Sequence, residues 1–339
     1  ELSDESWGID NVRLYERVPG PSVDAVEPSG HSADAGEPIV ITLSEVSDPE
    51  SARDAGGYAL VNLGEDKAPG GGNDTVAPVL PDFRDGTTEI ALRPASDLAE
   101  NWDESDYFMD LGLLGEWVVA SDGATVRQDR AGGASFFVSG DAWQSDRFAG
   151  RISVDPGAAD DDAIGLVLEF ETDGAGEPLS YYLVSWRAAA QDGASAGMTL
   201  ARVSGNGAAD PDLWTLDDAD SDIEVLAAAP AVLWQPGGEY DFTVARNSAT
   251  GSFTITLSRA DTGSGLVTLS TPAGSLPGGL GNVGFYCHSQ SGVTFAAEKD
   301  GGRWSDGAYQ LTVRNVLTNL EGIPLDGDAD GFAGGDYST

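Results

Sequence analysis

The chain has 339 residues, 57 acidic against 17 basic, giving a formal net charge of −40. Such a surface repels nucleic-acid phosphates and anionic lipid headgroups, which argues against direct binding to either; it attracts divalent cations and also keeps a protein soluble. With 40% hydrophobic residues, among them 8 Trp, 9 Tyr and 11 Phe, it is too apolar for a disordered acidic polymer and long enough for two domains.

Residues 1–16 contain Trp7-Gly8-Ile9-Asp10-Asn11-Val12-Arg13-Leu14-Tyr15, an alternating run with a one-residue slip that predicts a bulged strand. Its echo in Val313-Arg314-Asn315-Val316 suggests the terminal strand of a preceding module, or a strand exchanged into a neighbouring copy to build a filament. Residues 17–100 hold short apolar or alternating runs, such as those beginning at Pro38, Tyr58 and Thr88, separated by Pro, Gly and Asp. That spacing predicts a small immunoglobulin-like sandwich. Residues 101–322 carry about fourteen closely spaced strand patterns, from GEWVVAS to AYQLTVRNVL, and no amphipathic helix, as in a two-sheet sandwich or jelly roll. Residues 323–339 read as a linker with a calcium-type loop. The expected fold is therefore all-β: an immunoglobulin-like sandwich followed by a larger, concanavalin- or lectin-like jelly roll.

A lone cysteine, Cys287, forms no internal disulfide, and no apolar run is long enough to span a membrane. The first thirty residues lack the basic and apolar regions of a signal peptide, so the expectation is a mature piece of a longer secreted or cell-surface chain.

Five segments stand in order between residues 115 and 295: GEWVVASDGATVRQ (Gly115–Gln128), the run Asp160-Asp161-Asp162-Ala163-Ile164-Gly165-Leu166-Val167, YYLVSWR (Tyr181–Arg187), DLWTLDDADSDIEVL (Asp212–Leu226) and LGNVGFYCHSQSGVTF (Leu280–Phe295). Together they resemble the C-terminal, lectin-like jelly roll of thrombospondins. PIVITLSEVSDPES, from Pro38, is similar to immunoglobulin-like domains of bacterial surface proteins. The resemblance implies a curved sandwich that holds structural Ca2+ in extracellular material. The sequence departs from the family at Cys287, which has no disulfide partner, and in lacking the long calcium-binding repeat array.

Two carboxylate patterns carry the calcium expectation. Asp160, Asp161 and Asp162 lie between two apolar strands, where adjacent charges repel unless solvated or neutralised by a cation with roughly six to eight oxygen ligands. Asp155, Asp217, Asp218, Asp220 and Asp222 are further carboxylates nearby in sequence. Asp326, Asp328 and Asp330, followed by Gly331, place alternate carboxylates around one ion. An EF-hand would need Glu at 337, but that residue is Tyr337, and Asp336 falls one position short. The loop thus looks like the short calcium motifs of dockerins and thrombospondin repeats. The candidate ligands for Ca2+ are Asp160, Asp161, Asp162, Asp326, Asp328, Asp330 and Asp336.

Catalytic patterns are weaker. Gly193-Ala194-Ser195-Ala196-Gly197 fits G-x-S-x-G but precedes a strand instead of a helix, as does Gly279-Leu280-Gly281-Asn282-Val283-Gly284, which fits G-x-G-x-x-G. Glu169, Glu171, Asp173 and Glu177 have the wrong spacing for a jelly-roll glycosidase, and His31 and His288 lack metal partners. Trp143, Trp214, Trp234 and Trp304 lie at strand ends, where a ring either packs or stacks on a sugar. The expected function is a non-enzymatic, calcium-binding structural or adhesive segment of a modular surface protein, with other copies or modules as partners. The alternative is a carbohydrate-binding module of a secreted hydrolase.

Overall fold

The computed structural model describes residues 19–28, 37–106, 115–158, 161–172, 179–204, 210–216 and 222–339. The bulged strand expected within residues 1–16, and with it the strand-exchange idea, lies outside them. The first strands are β1 (Val23–Glu27), β2 (Ile39–Leu43), β3 (Tyr58–Asn62), β4 (Thr75–Val76), β5 (Val79–Phe83), β6 (Glu89–Pro94) and β7 (Trp102–Asp106), with helix α1 (Pro49–Arg53) after β2. Next come β8 (Trp117–Val119), β9 (Val126–Gln128), β10 (Ala134–Ser139), β11 (Arg147–Val154), β12 (Ala163–Leu168), β13 (Ser180–Arg187) and β14 (Gly197–Ser204). Helix α2 (Asp210–Thr215) leads to β15 (Ile223–Ala229), β16 (Glu239–Asn247), β17 (Ser252–Arg259) and β18 (Gly265–Ser270). The last are β19 (Gly284–His288), β20 (Val293–Ala297), β21 (Tyr309–Val313) and β22 (Tyr337–Ser338). Among the described residues no helix is long and apolar enough to cross a membrane.

Two four-stranded sheets, ordered β1-β2-β6-β5 and β22-β21-β3-β4, form a small sandwich. Its core joins Ile41, Phe83, Ile90 and Leu92 of the first sheet to Leu60, Leu311 and Val313 of the second, sealed by Leu317 and Leu325. Here the structure corrects the expected order. The run at Tyr309 does not close the jelly roll; it pairs antiparallel with β3, placing Leu311 opposite Leu60. The jelly roll is thus inserted between β6 and β21 of the small sandwich. Alternation along Leu311 and Val313 reveals a strand with one buried face but not which sheet receives it.

The jelly roll packs a front sheet, ordered β15-β14-β13-β12-β19-β10-β7, on a back sheet, ordered β18-β17-β16-β11-β20-β9-β8. Successive strand residues point to opposite faces. In the back sheet β16 alternates, burying Tyr240, Phe242 and Val244 against the front sheet. The central front strands bury both faces, hence the near-continuous apolar runs in β10, β12 and β13. Ile164, Leu166, Val184 and Trp186 face the back sheet. Val167, Leu183, Phe136 and Tyr286 face outward into a second core, capped by Leu213 of α2 and the adjacent Leu216. At Gly165 a Cβ would collide with the Val184 carbonyl, so only glycine permits β12 and β13 to approach this closely.

Arginine–carboxylate pairs join the sandwiches. Glu298, 7% exposed, accepts from Arg93 of β6 at 2.9 Å and from Arg147 of β11. Burial works to raise the Glu298 carboxyl, but the two guanidiniums outweigh it and hold it below the usual glutamate range. A folded pKa below the unfolded one stabilises the protein above the unfolded pKa, and that contribution is lost as pH falls through the folded value. Glu298→Gln is expected to cost about 2 kcal/mol at neutral pH, less than a wholly buried pair because both arginines are partly exposed. Urea unfolding at pH 7 and pH 3 checks this: the wild-type advantage should shrink at acid pH, and an unchanged gap would reject the assignment.

Candidate functional site

The C-terminal loop between β21 and β22 is built by close backbone packing. Leu325 is buried in the small core, and the next amide, that of Asp326, donates to Pro21 O at 2.8 Å. Gly327 lies so near the backbone of Asp336 and Tyr337 that any Cβ would collide. Gly331 turns the chain at φ 79°, and the Gly334 amide closes the loop onto Leu325 O at 2.8 Å.

This geometry gathers Asp326, Asp328 and Asp330, with one carboxylate oxygen of each lying within 4.8 Å of the others. Two ligands on opposite sides of a Ca2+, each bonded at about 2.4 Å, stand that far apart. Asp328 accepts from the Asp330 amide at 3.3 Å, and Asp330 from the Phe332 amide at 2.7 Å. Asp326 is only 5% exposed; its Oδ2 accepts from the Gly331 amide at 2.9 Å, while its Oδ1 is buried without a hydrogen-bond partner. A buried anionic oxygen lacking a donor is costly unless a cation meets it, so the donor set fits a hard divalent ion. Asp336 is not in this trio; it accepts from the Asn315 amide at 2.9 Å and braces the loop against the end of β21.

The aspartate triplet is placed differently. Asp160 lies outside the described residues. Asp161 accepts through its carbonyl from the Ala188 amide at 3.2 Å. Asp162 is buried: its carboxylate accepts from Gln191 Nε2, its amide donates to Gln290 Oε1 at 3.2 Å, and its carbonyl accepts from Trp234 Nε1 at 3.2 Å. Among the described residues neither joins a group of three potential ligands. Asp155 is held by Arg127 through bonds of 3.0 and 2.6 Å. Asp217, Asp218 and Asp220 lie outside the described residues, while the Asp222 carbonyl accepts from the Ser204 amide at 2.7 Å.

The remaining motifs resolve as packing or turns. Trp143 and Trp234 are buried in the main core, and Trp304 donates to Glu37 O at 3.0 Å beside the small core. Gly193–Gly197 links β13 to β14, and the glycine-rich run at 279 leads into β19. Burial, then repulsion from Glu171, raises the Glu169 carboxyl; Asp173, Glu177 and His31 lie outside the described residues. His288 is buried in β19. Burial pushes the Cys287 thiol well up, leaving little thiolate at neutral pH.

One feature of the front sheet escaped the sequence motifs. Ser185 and Arg187, two residues apart on β13, both point outward beneath α2. Arg187, only 3% exposed, lies 4.2 Å from the Trp214 ring and donates through Nη2 to Trp214 O. Burial lowers its pKa, with Tyr286 and Asp162 opposing that effect. Beside it opens a pocket of about 260 Å³ lined by Ser185, Arg187, Ser195, Thr199, Trp214 and Pro230, among others. Ser185 and Arg187 belong to the Tyr181–Arg187 segment and Trp214 to Asp212–Leu226, but no linear pattern brings the two segments together.

A model of the thrombospondin C-terminal region family matches residues 113–300, more than half of the chain. The chain belongs to this family. The match spans β8 through β20 and stops before β21, as expected if the thrombospondin-type unit is the jelly roll without the small sandwich. No curated protein matches. Among solved structures, the exoplasmic/lumenal domain of VIP36 in its Ca2+-bound form is similar at 12% identity and TM-score 0.40, over 59% of this chain and 84% of that one. Lectin II from Ulex europaeus is similar at 12% identity and TM-score 0.32, over 59% and 94%. A legume lectin-like domain from Entamoeba histolytica is similar at 8% identity and TM-score 0.37, over 59% and 88%. Likenesses this distant carry no functional argument.

Proposed function

We propose that this thrombospondin-type chain is a non-enzymatic, calcium-stabilised structural or adhesive segment of a modular extracellular or cell-surface protein. The observation that carries the reading is the buried Asp326 carboxylate, whose Oδ1 lacks a donor beside Asp328 and Asp330. A Ca2+ held there would neutralise three converging charges and fix the loop that brings together residues near 21, 315 and 337 of the small sandwich. Its work would be to hold a rigid spacer between neighbouring modules, or copies of the same protein, in a calcium-rich medium.

The test is a thermal melt in millimolar Ca2+ and again in excess EDTA. An ion at 1,000 times its dissociation constant stabilises by ~4 kcal/mol, so chelation should lower the small-sandwich transition plainly. Asp326→Asn, which keeps the shape and removes the charge, should abolish the difference. Superimposable wild-type melts would reduce the aspartates to surface charge and sink the reading.

A second reading, a carbohydrate-binding module, is favoured by the pocket over the front sheet, where an aromatic ring and hydroxyl side chains surround one cation. A glycan array separates the two: saturable sugar binding supports the second reading, and a blank array leaves the first.

A further inference from the structure

Arg187 is the unusual group in this acidic chain. Among the described residues it makes no ion pair, though it is almost fully buried. Its Nη2 is taken by the Trp214 carbonyl and its face by the Trp214 ring, whereas Nη1 has no hydrogen-bond partner. On the same face, two residues back along β13, Ser185 Oγ is also buried without a partner. A buried guanidinium edge left unpaired is strongly unfavourable, and a second unused hydroxyl adds to that penalty. Both atoms belong to residues lining the same pocket.

The chemistry of the walls narrows the ligand. A guanidinium edge held rigidly by an aromatic ring suits a carboxylate oxygen. Ser185, Ser195 and Thr199 offer hydroxyls, while Ala228 and Pro230 give an apolar wall. The volume, about 260 Å³, is more than a simple carboxylate fills and suits a ligand on the scale of a single sugar ring.

We infer that this pocket binds a sugar acid of about one ring, its carboxylate on Arg187 Nη1, its hydroxyls on Ser185 and Thr199, and its C–H face against the Ala228 and Pro230 wall. The inference rests on the carbohydrate-binding reading and adds to it the acidic class of the sugar. It is independent of the calcium loop.

The experiment is titration calorimetry of the full chain with galacturonate, galactose and acetate, repeated on Ser185→Ala and Arg187→Gln. Galacturonate should bind at least about tenfold more tightly than galactose or acetate, Arg187→Gln should remove that preference, and Ser185→Ala should weaken binding several-fold. Both variants should keep a cooperative jelly-roll transition near the wild-type midpoint in calorimetry, which shows that they are folded. Should Arg187→Gln not fold, the Ser185→Ala result and the galacturonate-to-galactose ratio decide. Equal binding of galactose and galacturonate would overturn the acidic class while sparing the sugar-binding reading. Binding of acetate as tight as galacturonate would overturn the sugar assignment in favour of a plain oxyanion site. No binding of any of the three would overturn both.

Discussion

Phe285→Ala is expected to destabilise the jelly roll by about 3–5 kcal/mol, the range for truncating a fully buried aromatic side chain. Phe285 lies on β19 at the centre of the front sheet and is 0% exposed. Its ring meets Phe295 of the back sheet at 4.8 Å between centroids and Phe148 and Phe242 of that sheet at 6.2 and 6.4 Å. Within its own sheet it stacks on Trp102 at 5.6 Å. Four aromatic neighbours from both sheets lose a partner together, and the surrounding strands are too heavily paired to collapse into the gap. In calorimetry the jelly-roll transition should fall by roughly 6–20 °C, given about 2–4 °C per kcal/mol for a domain of this size. Val118→Ala on β8, where the side chain is 44% exposed, should stay within about 0.5 kcal/mol of wild type. A Phe285→Ala transition no lower than that control would mean that the sheets do not meet at this ring.

The jelly roll was legible because its strands announce themselves twice. Runs such as AIGLVL at Ala163 and YYLVSWR at Tyr181 are apolar at every step because the main core covers one face and α2 with Leu216 covers the other. The family motifs fall on these same strands, so pattern and resemblance agreed. Strand pairing was harder to read. Leu311 and Val313 show the period of a half-buried strand, but a period of two is equally satisfied in either sandwich, and the true partner, β3, lies about 250 residues away. The aspartate loop was legible because D-x-D-x-D-G encodes its own turn, with Gly331 at positive φ and the carboxylates of Asp326, Asp328 and Asp330 gathered together. The role of Asp336 was less so, since its place on the Asn315 amide depends on where β21 ends. The pocket beside Arg187 has no linear signature, for it arises only when α2 sets Trp214 against a residue of β13. The surroundings of Asp162 were hidden for a related reason: the acidic triplet does not show that its carboxylate accepts from Gln191, or that the turn is braced by Gln290 and Trp234.

Ending the chain after Gly302 is expected to unfold the small sandwich while leaving the jelly roll folded. The cut removes β21 and β22, and with them Leu311, Val313, Leu317 and Leu325, each buried to 3% exposure or less. At about 1.5–3 kcal/mol for each large apolar side chain withdrawn from the core, the loss is at least about 6 kcal/mol, comparable to the whole stability of a small domain. The loss of pairing compounds this: β3 keeps only the two-residue β4 as a ladder partner. Every strand of the jelly roll, by contrast, ends before the cut, at Ala297 or earlier. Calorimetry of the truncated chain should therefore show one transition near the wild-type jelly-roll midpoint, with the Ca2+-dependent step missing because the aspartate loop has gone as well. Proteolysis supplies an independent reading, with cleavage confined to residues before Trp102. Survival of both transitions would mean that residues 19–100 fold without β21, and the insertion of the thrombospondin-type jelly roll between β6 and β21 would then be a contact between finished domains, not a shared sheet.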